Sequence, residues 1–462
     1  MTPAMPSLDS ANVDCRRYDG QRVLVVGLGV SGTSALRYLA ACGAQLVVTD
    51  SRAAPAGIDV LRTQFPEVEF HLGSFSAPQP LTQFKLAVLS PGVSLDEPFV
   101  AALRDAGVEI VGDIELFARA AGAPVIGITG SNGKSTVTTL VGEMARAAGL
   151  RTAVGGNLGT PALDLLADDV ELYVLELSSF QLETTQHLHC VAATVLNLSQ
   201  DHLDRHHTMA HYAAVKARIF EHCDTAVVNR DDPQVMAMLA PSAGHRVLSF
   251  GTDMPLLPRQ YGLLQHGGDY TLTDAERSFT LDDSELGIFG LHNLSNALAA
   301  LALTEAAGIE RAACLQALRQ FRGLPHRCEF VRELDGVRYF NDSKGTNVGS
   351  TLAALNGLPA LIVWLGGGQG KGQSFAPLRE ALAGKGRAAI VFGEDAERIE
   401  SDVFGALPIY REPDMSAALA RARTLAQPRD QVLLSPACAS FDQFRSYVDR
   451  GDQFRAMVGA LA

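Results

Sequence analysis

The sequence predicts an α/β protein with three domains, and three observations carry this prediction. Short apolar runs rich in β-branched residues alternate with amphipathic helical segments, which is typical of parallel sheets covered by helices. The 462 residues exceed what one ordinary hydrophobic core needs. Glycine-rich or polar turns follow strand-like runs in each third of the chain. We expect domains at 1–112, 113–323 and 324–462, with no Pro-rich or Ser-rich linker marking either boundary.

Composition excludes several classes of function. The formal charge of −13, from 38 Lys and Arg against 51 Asp and Glu, argues against a general nucleic-acid or membrane-surface binder, because polyanions would be repelled. The first residues lack the apolar core of a signal peptide, and no stretch holds the roughly 18 apolar residues of a membrane span. The seven cysteines are scattered without a C-x-x-C pair, so neither a disulfide framework nor a zinc site is indicated. We therefore expect a soluble cytoplasmic protein.

The first domain opens with a strand, a glycine turn and a helix. Val23 to Val26 form the predicted strand, GLGVSG from Gly27 to Gly32 forms the turn, and a second strand ends at Asp50. This spacing is that of a dinucleotide-binding fingerprint, which holds a diphosphate at a helix N-terminus and a ribose near an acidic residue. The pattern does not identify the nucleotide, and a glycine turn that merely packs is the alternative.

The central domain carries a candidate phosphate loop. Val125 to Thr129 reads as a buried strand and Ser135 to Ala148 as a helix, with GSNGK between them. Backbone N–H groups, the helix N-terminus and Lys134 would hold phosphates, and Ser135 would offer a hydroxyl to Mg²⁺. The standard frame would place a glycine where Ile128 stands, so an ordinary glycine-rich turn is the alternative. The loop predicts ATP or GTP and no particular reaction.

The next two predicted strands of the central domain, ELYVLELSSFQLE and VAATVLNLSQDHLDRH, both end in polar residues. In an open parallel sheet these strand ends gather around the ligand, which predicts a group comprising Glu176, Ser178, Asn197, Asp201 and His202. Glu176 interrupts an apolar run, so we interpret it as a Mg²⁺ ligand, with a solvent-facing strand end as the alternative. His202 by itself reads as a polar loop residue.

Two helices of the central domain carry polar residues whose role the pattern leaves open. A lone lysine on an amphipathic helix, Lys216, reads as part of a solvated face. His292, Asn293 and Asn296 open another helix and could face a nucleotide, although capping is the simpler explanation.

The third domain contains further strand-like runs, ALIVWLGGG, AAIVFG and DQVLLSPACAS among them. RYFNDSKGTN places Asp342, Lys344 and Thr346 at the exit of another strand. Three nucleotide-style units in one chain predict a reaction that joins several ligands in an interdomain cleft.

Motifs from the whole chain resemble one family. They are GLGVSG, LSPGV, VGDIEL, TGSNGKSTVTTL, GGNLGTPAL, ELSSFQLE, NLSQDHLDRH, YAAVKARI, LHNLSNALAALAL, GLPHRCE, NDSKGTNVGST and LSPACASFDQF. In this order they resemble the Mur ligases. ELSSFQLE and SPACASFDQF are similar to the glutamate-adding branch. The resemblance implies a Rossmann-like UDP-binding domain, a central P-loop ATPase domain and a Rossmann-like C-terminal domain.

The resemblance also implies roles for individual residues. UDP-substrate binding would fall to Val30, Ser31, Asp50, Ser51, Arg52, Gly73, Asn157 and His202. ATP binding would fall to Gly130, Ser131, Asn132, Gly133, Lys134, Ser135, Thr136, Asn296, Arg327 and Asp342. Glutamate binding would fall to Thr346, Lys371, Ser440, Phe441 and Tyr447. Two Mg²⁺ ions would be held by Ser135, Glu176, His202 and Lys216 as a carbamate, and Lys134, Glu176, His202 and Lys216 would be catalytic.

The implied reaction is ATP-dependent amide formation between UDP-N-acetylmuramoyl-L-alanine and D-glutamate by a monomer, through an acyl phosphate. Where the family pattern commonly has Leu and Phe, this chain has Phe441 and Tyr447, which leaves the use of L-glutamate open. A folylpolyglutamate-type ligase would share the central domain but would not need the first one. A dehydrogenase or a nucleotide-sensing protein could use the first fingerprint, but a dehydrogenase leaves Lys134 and Glu176 unexplained.

Overall fold

The computed structural model describes residues 15–239, 244–358 and 361–461, which form three sheets with helices on their faces. The first module contains β1 (Arg22–Val26), α1 (Val30–Ala41), β2 (Gln45–Asp50), α2 (Ile58–Gln64), β3 (Glu69–Leu72), β4 (Leu86–Leu89), α3 (Pro98–Asp105) and β5 (Glu109–Gly112). All strands of its sheet are parallel, in the order β3-β2-β1-β4-β5. The order reverses between β1 and β4, which is where open α/β sheets bind ligands.

The central module holds the largest sheet. Its elements are α4 (Asp113–Ala120), β6 (Val125–Thr129), α5 (Lys134–Ala147), β7 (Thr152–Gly156), β8 (Leu172–Glu176), α6 (Ser179–Leu182), β9 (Cys190–Val195), α7 (Leu203–His206), α8 (Met209–Ala217), β10 (Cys223–Asn229), α9 (Pro233–Met236), β11 (Arg246–Phe250), β12 (Gln260–His266), β13 (Asp269–Asp274), β14 (Thr280–Asp282), α10 (Leu291–Ala306) and α11 (Arg311–Gln320). The strand order is β14-β13-β12-β11-β10-β9-β6-β8-β7.

This sheet is not wholly parallel, in contrast to the expectation from the sequence. β12 pairs antiparallel with β13 across a two-residue turn, formed by Gly267 and Gly268 between His266 and Asp269. β14 adds antiparallel to the other side of β13. Gly267 has a φ of 68°, a conformation that such turns require and glycine adopts without strain.

The third module contains β15 (Glu329–Leu334), β16 (Val337–Asn341), α12 (Val348–Gly357), β17 (Ile362–Gly367), α13 (Leu378–Lys385), β18 (Gly386–Phe392), α14 (Ala396–Asp402), β19 (Ile409–Arg411), α15 (Met415–Leu425), β20 (Gln431–Leu434) and α16 (Tyr447–Gly459). The order is β15-β16-β20-β17-β18-β19, and only the edge pair β15–β16 is antiparallel. The three-domain α/β class is confirmed, whereas the residue boundaries at 112 and 323 remain a prediction.

One hydrophobic core extends from the first module into the central one. Strand residues of β1 and β2 share a cluster of buried side chains with Phe117 of α4 and Tyr173 of β8. The rings of Phe117 and Tyr173 meet edge to face, with centroids 5.0 Å apart. α4 therefore joins the two modules by packing as well as by chain connection.

Two local expectations were wrong. The run expected to continue as a strand through SSFQLE ends at Glu176, and α6 begins after Ser178, whose hydroxyl caps it by accepting a hydrogen bond from the Gln181 N–H. Cys15 and Cys42 form a disulfide across 27 residues, although the scattered cysteines had indicated none. None of the helices in residues 15–239, 244–358 and 361–461 has the length and apolar character needed to cross a bilayer.

Candidate active site

A cleft of about 1120 Å³ lies between the central and third modules. The central module contributes the loop after β6 and the residues that follow β8 and β9, and the third module contributes the loops after β16 and β17. Predicted site residues in its lining are Ser131, Asn132, Gly133, Lys134, Ser135, Thr136, Asn157, Glu176, His202, Asn296, Arg327, Asp342, Thr346, Lys371 and Tyr447. The structure thus brings most residues of the predicted ATP site together with several of the predicted glutamate site.

The loop between β6 and α5 is shaped by its glycines. Gly130 and Gly133 have φ angles of 148° and 84°, in the region that favours glycine. A Cβ on Gly133 would lie 2.5 Å from Oδ1 of Asn296, so a side chain there would collide with α10. The strand–loop–helix arrangement predicted from the sequence is confirmed.

Lys134 begins α5 and folds back over the loop. Its Nζ donates hydrogen bonds to the carbonyl oxygens of Gly130 and Ser131, at 2.9 and 3.0 Å. Burial lowers the pKa of Lys134, while the nearby carboxylates of Glu176 and Asp201 oppose the shift. Its ammonium group therefore lies within the loop that would surround a phosphate.

Glu176 lies at the end of β8 and is 3% exposed, so the alternative of a solvent-facing strand end is wrong. One carboxylate oxygen accepts a hydrogen bond from Ser135 Oγ at 2.6 Å and the other from Asn157 Nδ2 at 2.7 Å. Arg327 donates from Nη2 to the same Ser135 Oγ at 2.7 Å. A hydrogen-bonded chain therefore crosses the cleft from the central module to the third.

Lys216 is buried, and its interpretation as part of a solvated helix face was wrong. Its side chain passes behind the loop, where Nζ donates to Thr129 Oγ1 at 3.2 Å and to the carbonyl of Gly130 at 3.0 Å. The ammonium group also lies 4.8 Å from the ring centre of Tyr212. Burial, and then the charge of Lys134, lower the pKa of Lys216 well below its usual value. The cleft lining does not include this residue.

His202 reaches the cleft from a strained backbone position. It has a φ of 52°, precedes α7, and its ring meets that of Phe180 edge to face at 4.9 Å. Its Nε2 is 3.6 Å from a carboxylate oxygen of Asp201. The imidazole is thus held at the cleft from one side by an aromatic ring.

The predicted ligands fit one divalent cation better than two. Ser135 and Glu176 present a hydroxyl and a carboxylate in direct contact, which suits Mg²⁺. In the described part of the chain, no group of three or more His, Cys, Asp and Glu side chains is arranged to hold a metal ion. A second site from His202 and Lys216 would need the carbamate, because a lysine amine that donates to Thr129 and Gly130 offers no anionic oxygen.

The helix α10 contributes Asn296 to the cleft. No side chain caps the first turn of α10, so capping does not explain its polar residues. Asn293 instead donates from Nδ2 to the carbonyl of Phe289 at 2.9 Å, and its Oδ1 accepts from Asn296 Nδ2 at 3.2 Å. These bonds hold the amide of Asn296 against Gly133 of the phosphate loop.

The third module forms one wall of the cleft, here called the third-module wall. It includes Lys344, which the sequence predicted only to follow a strand. Lys344 lines the cleft with its Nζ 4.3 Å from the ring centre of Tyr447. Burial and the neighbouring cations Arg327 and Lys134 lower the pKa of Lys344 to about 8. Beside it, burial raises the pKa of Asp342 to about 7 against a hydrogen bond from the Ser435 hydroxyl.

The remaining predicted glutamate residues divide into two groups. Thr346, Lys371 and Tyr447 line the cleft. Ser440 is buried outside that lining, and Phe441 is 65% exposed and also outside it. The structure therefore does not bring all five residues together.

The predicted UDP residues of the first module lie at the carboxyl ends of its strands, apart from the cleft lining. Asp50 accepts hydrogen bonds from the Leu28 N–H at 2.7 Å and from the Arg52 side chain, and the Gly73 N–H donates to the Asp50 carbonyl at 3.0 Å. Burial raises the pKa of Asp50, but these hydrogen bonds outweigh it and lower the pKa to about 2. Ser51 lies between Asp50 and Arg52, and at the start of α1 Val30 is 72% exposed and Ser31 half-buried.

Comparison with known proteins covers nearly the whole chain. Family models match as "Mur ligase MurD-like, N-terminal domain" at 21–112, "Mur ligase middle domain" at 128–304 and "Mur ligase, glutamate ligase domain" at 326–438. A UDP-N-acetylmuramoylalanine–D-glutamate ligase of Marinobacter nauticus is 49% identical over 446 residues, which are 96% of this chain and 98% of that protein. The protein of the same name from Methylobacillus flagellatus is 50% identical over 445 residues, 96% of this chain and 97% of its own.

Solved structures share the fold at much lower identity. A MurF ligase from Thermotoga maritima in complex with ADP has a TM-score of 0.60 at 17% identity, over 98% of each chain. A pseudomurein peptide ligase type C from Methanothermus fervidus has a TM-score of 0.59 at 16% identity, over 95% of this chain and 99% of its own. The three modules and the phosphate-loop cleft between them, with these matches, define an ATP-dependent ligase. The chain belongs to the Mur ligase family.

Proposed function

We propose that this ligase joins D-glutamate to UDP-N-acetylmuramoyl-L-alanine, with ATP converted to ADP and phosphate, as a monomer in a cytoplasmic step of peptidoglycan precursor synthesis. The observation that carries the proposal is the arrangement of charge across one cleft. Lys134 and the N-terminus of α5 lie on the central side, and Lys344 and Lys371 lie on the third-module side. Such a cleft suits two anionic ligands that must be brought together.

The first chemical step would take place at the phosphate loop. The alanyl carboxylate attacks the γ-phosphorus of ATP, the bond to the β–γ bridging oxygen breaks, and ADP leaves with an acyl phosphate formed. Both reactants are anionic, so the loop N–H groups and Lys134 would stabilise the charge that develops on the transferring group. Lys134 would exchange its bonds to the Gly130 and Ser131 carbonyls for phosphate oxygens.

Ser135 and Glu176 would hold Mg²⁺, which when bound would neutralise phosphate charge. Arg327 would then contact the nucleotide from the third module, since it already donates to Ser135. Asn296 of the central module and Asp342 of the third module also line the cleft and complete the proposed ATP site. His202 and carbamylated Lys216 would serve a second ion.

The second step would use the third-module wall. The amine of glutamate attacks the carbonyl carbon of the acyl phosphate, the tetrahedral intermediate expels phosphate, and the amine proton passes to solvent. Lys371, Lys344 and Thr346 would meet the two glutamate carboxylates, because they present two cations and a hydroxyl to the cleft there. Inverting the α-carbon would misplace the amine or one carboxylate, so we expect strong selection between the two enantiomers. The D-glutamate ligases that this chain resembles indicate that the D enantiomer is the one used.

The test is phosphate release from ATP by the purified protein with UDP-N-acetylmuramoyl-L-alanine and, in turn, D-glutamate, L-glutamate, D-aspartate and glycine. We expect release that needs both substrates and is fastest with D-glutamate. Equal rates with L-glutamate would contradict the stereochemical part. Release with a folate substrate in place of the UDP substrate would favour the folylpolyglutamate alternative.

A further inference from the structure

One arginine of the central module crosses to the first module. Arg205 lies in α7, and its Nη2 donates to the carbonyl oxygen of Val93 at 3.0 Å. The same nitrogen donates to Glu183 Oε2 at 2.6 Å, and the guanidinium carbon lies 5.0 Å from the ring centre of Phe180. The Arg205 and Glu183 side chains are 14% and 6% exposed. The contact is therefore a nearly buried one, held in place from three sides.

The Val93 end of this contact adjoins the glycine turn of the first module. Val93 follows β4, and a Cβ on Gly27 would lie 3.0 Å from Val93 Cγ2 and from Ser90 Cβ. Ser90 Oγ donates to the Gly27 carbonyl at 2.8 Å. A shift of the Val93 loop would therefore press on the turn where the sequence predicts a nucleotide diphosphate.

The other end of the contact reaches the cleft. The ring of Phe180, against which the guanidinium stacks, also meets the His202 ring at 4.9 Å. Arg205 follows His202 by three residues, and the His206 N–H bonds to the His202 carbonyl within the same turn. Arg205 therefore contacts both Val93, which packs against the glycine turn of the first module, and Phe180, whose ring packs against the cleft residue His202.

We infer that Arg205 is a positioning residue that sets the glycine turn of the first module in register with the His202 side of the cleft. This inference rests on the proposed function, in which the substrate is bound by its UDP end in the first module and by its alanyl end at the phosphate loop. A substrate held at both ends is sensitive to their separation, and a misplacement of about 1 Å can cost about 100-fold in rate. Arg205 would act on the long substrate only, and not on ATP or on UDP alone.

A second arginine offers a matched control. Arg37 of α1 also crosses between the modules, with Nη2 2.9 Å from Asp164 Oδ2, but the pair is 37% and 29% exposed. It touches neither Val93 nor Phe180. Exposed ion pairs of this kind contribute little, so its removal should leave substrate binding unchanged.

The experiment compares Arg205→Met, Arg205→Lys and Arg37→Met with the unmodified protein. We expect Arg205→Met to raise the KM for the UDP-muramoyl substrate about 10-fold or more, with the KM for ATP and the affinity for UDP alone within about two-fold. Arg205→Lys keeps the charge but loses the planar guanidinium group. Its KM for the UDP-muramoyl substrate should therefore lie between those of Arg205→Met and the unmodified protein. Arg205→Met removes the arginine from the buried Glu183 carboxylate, which keeps His206 as a neighbour, with Nδ1 3.4 Å from Oε1. The double variant Arg205→Met with Glu183→Gln removes the carboxylate charge and should show the same selective loss.

Three outcomes overturn the inference. Equal weakening of UDP and of the whole substrate would mean that Arg205 shapes the turn locally. An unchanged KM in Arg205→Met, or a loss of the same size in Arg37→Met, would mean that Arg205 does not set the register. Failure of the unmodified protein to bind the UDP-muramoyl substrate would instead contradict the proposed function, which separates the two tests.

Discussion

The two walls of the cleft compensate their charges in different ways. On the central wall, Lys134 bonds to loop carbonyls and Glu176 accepts from Ser135 and Asn157. On the third-module wall, the side chain of Lys371 is exposed and the ammonium of Lys344 rests on the Tyr447 ring, and neither donates a side-chain hydrogen bond to any residue that the structure describes. The central wall is thus organised before a ligand binds, whereas the third-module wall carries cations that an anionic ligand would satisfy.

The largest effect should come from the preorganised wall. Lys134→Ala removes the cation of the loop, and we expect turnover to fall by about 1000-fold because charge stabilisation of phosphoryl transfer is lost. Its thermal unfolding should remain close to that of the unmodified protein, since Lys134 bonds only within its own loop. The matched control is Lys85→Ala, which removes an exposed lysine of the first module. Near-normal turnover in Lys134→Ala would contradict the phosphate-loop assignment.

The second prediction concerns Lys216, which lies behind the phosphate loop of the central wall. If Lys216 becomes a carbamate and serves a metal ion, Lys216→Ala should lose about 10- to 100-fold in activity. Short carboxylic acids such as acetate should restore part of it by occupying the vacated space, and they should not affect Lys85→Ala. The lowered pKa of Lys216 favours the neutral amine that reacts with CO₂. Full activity of Lys216→Ala without additive would refute the carbamate.

Lys134 and Lys216 differ in whether the local sequence predicts where the side chain lies. Lys134 follows a strand and a glycine loop, so local pattern alone predicted its place. Lys216 lies among alanines on a short helix, and whether it meets solvent depends on what that helix packs against, here Thr129 and Gly130 some 86 residues away. Only the family resemblance indicated the metal-ligand role that we propose for Lys216.

Other features were not predicted from the sequence, for different reasons. The antiparallel β12–β14 ribbon had a local signal, the Gly267–Gly268 turn, that could have been used. The contact of Arg205 with Val93 spans 112 residues and had none. The resemblance implied that Phe441 takes part in glutamate binding, but it is 65% exposed and lies outside the cleft lining.

The third prediction tests the third-module wall, whose lysines would bind an anionic ligand. Lys371→Ala should raise the KM for glutamate about 10-fold, the value of a lost charge-assisted hydrogen bond, with the KM for ATP within about two-fold. Steady-state kinetics with each substrate varied in turn would measure both. The idea fails if the two KM values rise together, because Lys371 would then support the cleft as a whole.

The smallest effect should appear as a pH dependence of the same wall. The pKa of Lys344 is lowered from its ordinary value to about 8, so its ammonium loses its proton as pH rises through that value. The neutral amine cannot attract an anionic ligand, and we expect kcat/KM to fall above pH 8, by at most about 10-fold at pH 9. Lys344→Arg keeps its charge throughout this range, because a guanidinium does not deprotonate there, so its profile should stay flat between pH 8 and 9. Asp342 has a pKa of about 7, so its carboxylate forms as pH rises through 7. This titration would raise kcat/KM over that range, opposite to the fall above pH 8. A decline above pH 8 that persists unchanged in Lys344→Arg would assign the titration to another group and remove the argument that this cation awaits an anionic ligand.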